Sequence, residues 1–216
     1  MANSSILETI LSTGVIAVIR MKDPAKLLKV VEAISAGGVK CIEITMTVPG
    51  AVGLIRELSG KVSGDVVLGA GTVTDVKTAN EVIDAGAKFV VGPILNTDII
   101  ALCKKRGVVV MPGCFTPTEI LTAWTAGADI VKVFPATSLG PRYFKDIAGP
   151  LPDIRLMPTG GVTIDNVGEW IQAGAVAVGI GSDLLDKKAI EEGRFEVLTD
   201  RAQRMVRNFK EAKTRI

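Results

Sequence analysis

One short pattern recurs along this chain and restricts its fold more than any other feature. A helix ends on Ala-Gly, two residues follow, and a short apolar strand begins, as in SAGGVKCIEI, DAGAKFVVGP, TAGADIVKVFP and QAGAVAVGIGS. Weaker copies occur in KKRGVVVMPG and GDVVLGAGTV. Glycine suits the left-handed residue that ends many helices. The unit recurs about every 20 to 27 residues, which is the length of one strand and one helix.

The copies predict about eight strands that alternate with helices. The predicted strands lie at 16–19, 41–45, 66–70, 89–91, 108–111, 130–134, 155–158 and 176–180. Strands that are apolar on both faces and connected by helices form a parallel sheet. An open doubly wound sheet is compatible with this length, but so many evenly spaced units favour a (β/α)8 TIM barrel.

We therefore predict an α/β fold in which residues 1–216 form a single (β/α)8 barrel domain with an extra N-terminal helix. That helix, at 4–12, is expected to cover the bottom of the barrel. A final helix is predicted where Leu198, Ala202, Met205 and Phe209 recur at helical spacing.

The composition is that of an ordinary globular protein, and the balance of its charges favours a small molecule as its partner. Of the 216 residues, 48% are hydrophobic and 22% are charged, and the net charge is only +2. There is no basic stripe for nucleic acid, and no apolar run approaches the roughly 20 residues of a membrane helix. Residues 1–12 lack the features of a secretory signal, so we expect a cytoplasmic protein.

The three cysteines, Cys41, Cys103 and Cys114, are too widely spaced for a disulfide framework or a zinc site, and we expect them to be buried.

The absence of histidine narrows the chemistry further. With no histidine in the chain, Ser-His-Asp and Cys-His catalysis are excluded, and so is the commonest transition-metal ligand. Proton transfer must then fall to Glu, Asp, Lys or the single tyrosine, Tyr143. No metal and no cofactor are expected.

Lys132 needs an explanation because it lies within a strand that is otherwise apolar. In a barrel, alternate residues of a strand face the axis. Val131 and Val133 suit the helix side, so Lys132 is predicted to face inward. The same alternation predicts that Glu43 faces inward, between Ile42 and Ile44. Arg20 stands at the end of the first strand. Three charged groups are thus expected to converge at the carboxyl ends of the strands, where barrel enzymes have their active sites.

A lysine in an apolar barrel has its charged form disfavoured by desolvation, and a nearby cation acts in the same direction. Lys132 is therefore a candidate nucleophile that forms a Schiff base with a substrate carbonyl, and the iminium then withdraws electrons from the neighbouring carbon–carbon bond. Glu43 is the inward acid available for general acid–base catalysis. The alternative is a purely structural ion pair between the two residues.

Two glycine-rich loops follow the seventh and eighth predicted strands. The first, in MPTGGVTIDN, contains Thr159, Gly160 and Gly161, and the second, in GIGSDLL, contains Gly181 and Ser182. Loops at these two positions of a barrel expose backbone N–H groups and often bind phosphate. Glycine-rich loops also occur as plain tight turns and helix N-caps. Because two of them follow adjacent strands, we predict a phosphate site.

Three further residues are candidates for binding substrate. Thr72, in GAGTV at the end of the third strand, is free to meet a substrate oxygen because Thr74 and Asp75 can cap the next helix. Arg20 can hold the carboxylate of a 2-keto acid with its planar guanidinium. Phe134 is predicted to face inward and can pack against that acid, or it can simply belong to the core.

Six segments match one family of enzymes, in this order over nearly the whole chain: IEIT, GAGTV, VKVFPA, GP at 140–141, IAGPLP and PTGGV. Together they closely resemble the bacterial 2-keto-3-deoxy-6-phosphogluconate (KDPG) aldolases, which overlap with the 4-hydroxy-2-oxoglutarate (KHG) aldolases. The resemblance implies a class I, metal-independent aldolase without a cofactor on a (β/α)8 barrel, usually a homotrimer. Such an enzyme cleaves KDPG to pyruvate and glyceraldehyde 3-phosphate, and KHG to pyruvate and glyoxylate.

The resemblance also implies roles for particular residues. Lys132 is similar to the family's Schiff-base lysine, and Glu43 is similar to its acid–base residue. The family's pyruvate pocket corresponds to Thr72, Pro93 and Phe134, and its phosphate side corresponds to Gly160, Gly161 and Ser182. One position departs from the pattern, because some relatives have a carboxylate-binding arginine where this chain has Thr47. The resemblance to other members implies that Arg20 supplies that charge instead.

Three other interpretations stay open at this point. A phosphate-binding barrel isomerase or synthase of vitamin or tryptophan metabolism would use Lys132 and Glu43 only as acid and base. A non-catalytic ligand-binding barrel would keep the pair for structure. A metal-dependent aldolase would have to hold Mg²⁺ with carboxylates alone.

Overall fold

The computed structural model describes residues 2–215, with side chains from residue 5 onward, and shows short parallel strands alternating with helices. The strands are β1 (Val15–Ile19), β2 (Cys41–Thr45), β3 (Val67–Gly71), β4 (Phe89–Val91), β5 (Val109–Met111), β6 (Gly113–Cys114), β7 (Val131–Val133), β8 (Leu156–Pro158) and β9 (Val178–Ile180). The helices are α1 (Ala2–Thr13), α2 (Pro24–Ala36), α3 (Ala51–Ser59), α4 (Val76–Asp84), α5 (Thr97–Arg106), α6 (Pro117–Thr125), α7 (Gly140–Ala148), α8 (Val167–Gln172), α9 (Lys187–Glu192) and α10 (Glu196–Lys213). All the predicted strands are present, and β6 is an additional one.

The strands form a parallel, curled sheet whose hydrogen-bonded ladders fall into two parts. The first has the order β5-β4-β3-β2-β1-β9, and the second has the order β6-β7-β8. Pro112 separates β5 from β6, because proline has no N–H to donate to a ladder. The α/β class with parallel strands is therefore confirmed. The ladders do not, however, run continuously through eight strands as the barrel prediction requires.

A few main-chain contacts outside the ladders connect the two parts of the sheet. On one side, the N–H of Lys132 donates to the carbonyl oxygen of Pro112 at 2.9 Å. On the other side, isolated bridges pair Leu156 with Ala175 and Thr159 with Gly179. The strands of β6 to β9 contain only two or three residues each, so few ladder bonds can form there.

Alternate strand residues contribute to two apolar layers. The inner layer contains Ile16, Cys41, Val67, Phe89, Val109, Ile130, Met157 and Ala177. The outer layer lies between strands and helices and includes Ile42, Ile44, Val131 and Val133. Ile10 of α1 is buried within the inner layer. The N-terminal helix therefore covers the bottom of the sheet's interior, as predicted.

The final helix, α10, packs with the residues that its periodicity predicts. Leu198, Ala202, Met205 and Phe209 are all buried. The ring of Phe209 fills the space that a side chain on Gly14 would need, and Gly14 has a φ of +69°. Glycine is thus required immediately before β1, because it allows both this backbone conformation and the close approach of α10.

Within residues 2–215, no helix is both long and apolar enough to span a bilayer. The three cysteines are buried free thiols, as predicted. Burial raises the pKa of Cys41 to about 11 and the pKa values of Cys103 and Cys114 to about 12. These thiols therefore stay protonated near neutral pH and are poor nucleophiles.

Candidate active site

Lys132 and Glu43 lie in the interior of the curled sheet. Lys132 is the middle residue of β7 and is 5% exposed, and Glu43 is the middle residue of β2 and is 2% exposed. The residues beside them in both strands belong to the outer layer, so strand alternation turns both side chains inward. This orientation agrees with the one predicted from the sequence.

Burial shifts the pKa values of this pair in opposite directions. It lowers the pKa of Lys132 from the usual 10.5; the Glu43 carboxylate opposes that shift and the Arg20 guanidinium adds to it. Burial raises the pKa of Glu43 from the usual 4.5, and the charges of Lys132 and Arg20 oppose that shift. Both neutral forms are thereby favoured. Relative to the free side chains, the pKa shifts therefore favour an amine that can act as a nucleophile and a nearby carboxyl group that can donate a proton.

Gly71, the last residue of β3, makes room for the Glu43 carboxyl group. A Cβ on Gly71 would overlap Oε1 and Cδ of Glu43. Any side chain at this position would therefore displace the carboxyl group. Gly71 is not among the predicted site residues, although the second glycine of GAGTV is a signal for it.

Arg20 lies at the rim, directly after β1, and its side chain is exposed. It is close enough to affect the pKa values of both Glu43 and Lys132. Among residues 5–215, whose side chains the structure describes, it has no hydrogen-bond or ion-pair partner. The side chain is exposed because the residue follows the end of the strand. Its charge is free to bind a carboxylate.

Thr72 follows β3 and has an unusual backbone conformation. Its φ is +57°, and no other non-glycine residue in the described part of the chain has a positive φ. A β-branched residue in the left-handed region is strained, and such strain is concentrated at functional sites. Asp75 caps α4 by accepting a hydrogen bond from the N–H of Thr78 at 2.8 Å. The Thr72 hydroxyl is therefore not needed as the cap of α4, as predicted.

Phe134 and Pro93 lie on the same side of the site as Lys132. The Nζ of Lys132 is 4.9 Å from the centroid of the Phe134 ring, which is within the range of a cation–π contact. The backbone of Pro93 packs so closely against Gly113 of β6 that a Cβ on Gly113 would overlap it. Gly113 in turn pairs with Lys132 in the register of β6 and β7. Phe134 therefore lies beside the amine itself, and Pro93 lies beside the strand that pairs with β7.

Thr159 is the one predicted site residue with an unsatisfied buried polar atom. It is 8% exposed, and its Oγ1 has no hydrogen-bond partner among the described residues. It is two residues beyond Met157 of the inner layer, so its side chain shares the inward direction. A buried hydroxyl without a partner costs roughly 1–3 kcal/mol. A substrate oxygen would remove that cost.

The two glycine-rich loops lie side by side. Gly160 and Gly161 have φ values of +93° and +77° and approach Thr137 so closely that a Cβ on either would crowd it. Both positions require glycine for these reasons. Gly181 follows β9 in the adjacent loop, where a Cβ would lie 3.4 Å from the carbonyl oxygen of Val18. Thr137 is a further candidate that the sequence pattern does not reveal.

A cavity of about 550 Å³ lies beside the second glycine-rich loop and is lined by Arg20, Gly181 and Ser182. Three more cations line it, namely Lys22, Lys26 and Lys187, together with the two acids Asp23 and Glu191. The acid Asp23 is already engaged as the N-cap of α2. The cationic character of this end of the site suits an anionic group.

Thr47 lies where some relatives have arginine, and its hydroxyl is 2.8 Å from that of Thr45. Thr45 is completely buried and shares the inward phase of Glu43. The pair contributes hydroxyl groups but no charge on this side of the site.

Among residues 2–215, no three Cys, Asp or Glu side chains are grouped closely enough to hold a metal ion.

Comparison with known proteins agrees with this geometry. The model of the KDPG and KHG aldolase family matches residues 6–200. A 2-dehydro-3-deoxy-phosphogluconate aldolase from Pseudoalteromonas atlantica is 33% identical over 89% of this chain and 89% of its own length. A 2-dehydro-3-deoxy-6-phosphogalactonate aldolase from Escherichia coli is 35% identical over 78% and 83% of the two chains. The crystal structure of KDPG aldolase from Legionella pneumophila, with pyruvate captured as a covalent carbinolamine, superposes with a TM-score of 0.84 at 27% identity, covering 94% and 97%.

The parallel sheet, the buried lysine next to a carboxyl group and these relatives together define an aldolase, an enzyme that cleaves a carbon–carbon bond. Within this class, the chain belongs to the KDPG and KHG aldolase family. Both the predicted enzyme class and the predicted family are confirmed.

Proposed function

We propose that this aldolase cleaves KDPG to pyruvate and glyceraldehyde 3-phosphate through a Schiff base on Lys132, and that KHG is a second substrate. The observation that carries the proposal is the burial of the Lys132 amine, with a lowered pKa, beside a carboxyl group whose pKa is raised. The names of the relatives from P. atlantica and L. pneumophila, and the KHG activity in the family's name, support these substrates.

The first half of the reaction joins the substrate to the enzyme. Nζ of Lys132 attacks the C2 carbonyl carbon and forms a carbinolamine. Glu43, whose pKa is raised by burial, donates a proton in its acid form to the departing hydroxyl, which leaves as water. The product is an iminium ion, and Glu43 is left as a carboxylate.

The second half breaks the C3–C4 bond. The Glu43 carboxylate removes the proton of the C4 hydroxyl, directly or through a water molecule. The bonding electrons move toward the iminium, so the aldehyde leaves and an enamine of pyruvate remains. Protonation at C3 and hydrolysis then release pyruvate and the free amine.

The surrounding residues bind the two ends of the substrate. Arg20 binds the carboxylate of the keto acid, and Thr72, Pro93 and Phe134 form the pocket around it. Thr159 donates to a substrate oxygen, which would satisfy its unpaired hydroxyl. The phosphate binds to the N–H groups of the loops that contain Gly160, Gly161, Gly181 and Ser182.

We also propose the larger architecture that the family implies. The main-chain contacts at Pro112 and at Gly179 support a single (β/α)8 barrel domain, closed in spite of its interrupted ladders. A homotrimer and a cytoplasmic location rest on the resemblance to the family. Mass measurement of the native protein in solution tests the trimer.

Trapping with borohydride tests the Schiff base. We expect pyruvate plus borohydride to leave one stable adduct per chain, located on the peptide that contains Lys132. Because burial and Arg20 lower the pKa of that amine below 10.5, adduct formation should rise with pH and level off below the pH at which a free lysine loses its proton. Mass spectrometry after proteolysis gives both readouts. An isomerase or synthase that uses Lys132 only as an acid or base would give no adduct.

Arg20 provides a second test because its charge acts on both the substrate and the amine. In Arg20→Met, we expect KM for KDPG to rise about 10- to 100-fold through the loss of a charged hydrogen bond. The pH profile of adduct formation should also move to higher pH, since Arg20 helps to lower the pKa of Lys132. The matched control is Arg142→Met, whose side chain is 91% exposed on α7. An unchanged KM in Arg20→Met would exclude carboxylate binding by this residue.

A further inference from the structure

A carboxylate connects the two glycine-rich loops on the proposed phosphate side. Asp183 directly follows Ser182, and its Oδ2 accepts a hydrogen bond from the N–H of Ile164 at 2.7 Å. Ile164 lies three residues after Gly161, in the other loop. A short bond from a backbone N–H to a charged oxygen is among the stronger hydrogen bonds in proteins. It therefore fixes the distance between the two loops at one point.

Arg201 of α10 holds the second loop at two places. Its Nη1 donates to the main-chain carbonyl of Asp183 at 2.7 Å, and its Nη2 donates to Oδ2 of Asp186 at 2.7 Å. Asp186 in turn caps α9 by accepting from the N–H of Ala189. The side chains of Arg201 and Asp186 are only 30% and 26% exposed, so water screens this contact less than a surface pair.

The same helix also reaches the first loop. Nδ2 of Asn208 donates to the carbonyl of Ile164 at 2.8 Å, and Asn208 lies seven residues after Arg201, on the same face of α10. Within that loop, Nδ2 of Asn166 donates to the carbonyl of Gly161 at 2.8 Å. An uninterrupted set of contacts thus runs from α10 to both glycine-rich turns.

We propose that Asp183 and Arg201 are positioning residues that hold the two loops at the spacing required to bind a phosphate group. Neither residue contacts substrate in this proposal; both act through the backbone N–H groups of the loops. Because phosphate binding by backbone N–H groups depends on their fixed convergence, a change in loop spacing weakens it. The inference deepens the proposed function and rests on it, since it assumes that the phosphate of the substrate binds at these loops.

The test separates phosphate binding from the chemistry at Lys132. In Asp183→Ala, we expect KM for KDPG, and Ki for inorganic phosphate as a competitive inhibitor, to rise about tenfold. The rate at which borohydride traps pyruvate, which has no phosphate, should stay within about twofold of the wild type, because trapping involves Lys132 and its neighbours in the pyruvate pocket and not the phosphate loops. Asp183→Asn should recover most of the loss, because its amide oxygen can still accept from the N–H of Ile164.

Arg204→Met is the matched control on the same helix. Arg204 pairs with Asp165 of the first loop, but the two side chains are 52% and 84% exposed, and such pairs contribute little. We expect Ki for phosphate to stay within about twofold in this variant. The proposal is overturned if Asp183→Ala leaves Ki unchanged, or if it lowers pyruvate trapping as much as phosphate binding, which would indicate a general loss of structure. Failure of the proposed function itself looks different, because the wild type would then trap no pyruvate.

Discussion

Replacing Lys132 by methionine is expected to lower kcat/KM for aldol cleavage by a factor of about 10⁴ or more, because no covalent intermediate can form. Methionine has a similar length and no charge, so the substitution removes the nucleophile while it keeps the interior of the sheet filled. Borohydride with pyruvate should leave no adduct on this variant. Steady-state kinetics and mass spectrometry measure the two effects independently.

The stability of the Lys132→Met variant shows whether its inactivity comes from chemistry or from unfolding. Burial lowers the pKa of Lys132 in the folded protein, so the folded state binds fewer protons than the unfolded state. The lysine therefore destabilises the wild type below that lowered pKa, and its penalty disappears as the pH rises toward 10.5. At neutral pH, the variant should be at least as stable as the wild type in urea unfolding. Normal turnover in a folded Lys132→Met protein would disprove the Schiff-base mechanism.

The parts of the fold and site that could be predicted depend on local periodicity. The alternation of β7 and β2 is sufficient to turn Lys132 and Glu43 inward, because a strand residue's face depends only on its neighbours. The Ala-Gly helix ends mark the βα units for a similar reason, since a left-handed cap is a local requirement. Such features are contained within a few consecutive residues.

Other features depend on contacts between distant segments and could not be predicted. The contact of Gly71 with Glu43 appears only when β2 and β3 are side by side. The bonds from Arg201 to Asp183 and Asp186 connect residues that share no pattern in the sequence. Pro112 is visible in the sequence, but whether it interrupts a ladder depends on which strand faces its missing N–H.

Replacing Glu43 by glutamine is expected to lower kcat for KDPG cleavage by a factor of about 10² to 10⁴, the usual contribution of a general acid–base residue. Glutamine keeps the size of the side chain and the space beside Gly71, but it cannot release or take up a proton. Pyruvate should still be trapped on Lys132, more slowly, because the amine remains and only the proton transfer is lost. Rapid-quench measurement of both reactions in one preparation separates the two roles.

Two comparisons make the Glu43→Gln result specific. Glu57→Gln, at a carboxylate that is 45% exposed and paired with Lys61, should leave kcat unchanged.

Because burial raises the pKa of Glu43, the wild type should lose stability as the pH rises from about 4.5 toward that raised pKa. Glutamine does not ionise, so Glu43→Gln should lack this loss, which urea unfolding at several pH values measures. If a folded Glu43→Gln protein has the kcat of the wild type, another group must be the acid–base residue. Lys132 would then be the only residue of the pair that takes part in the chemistry.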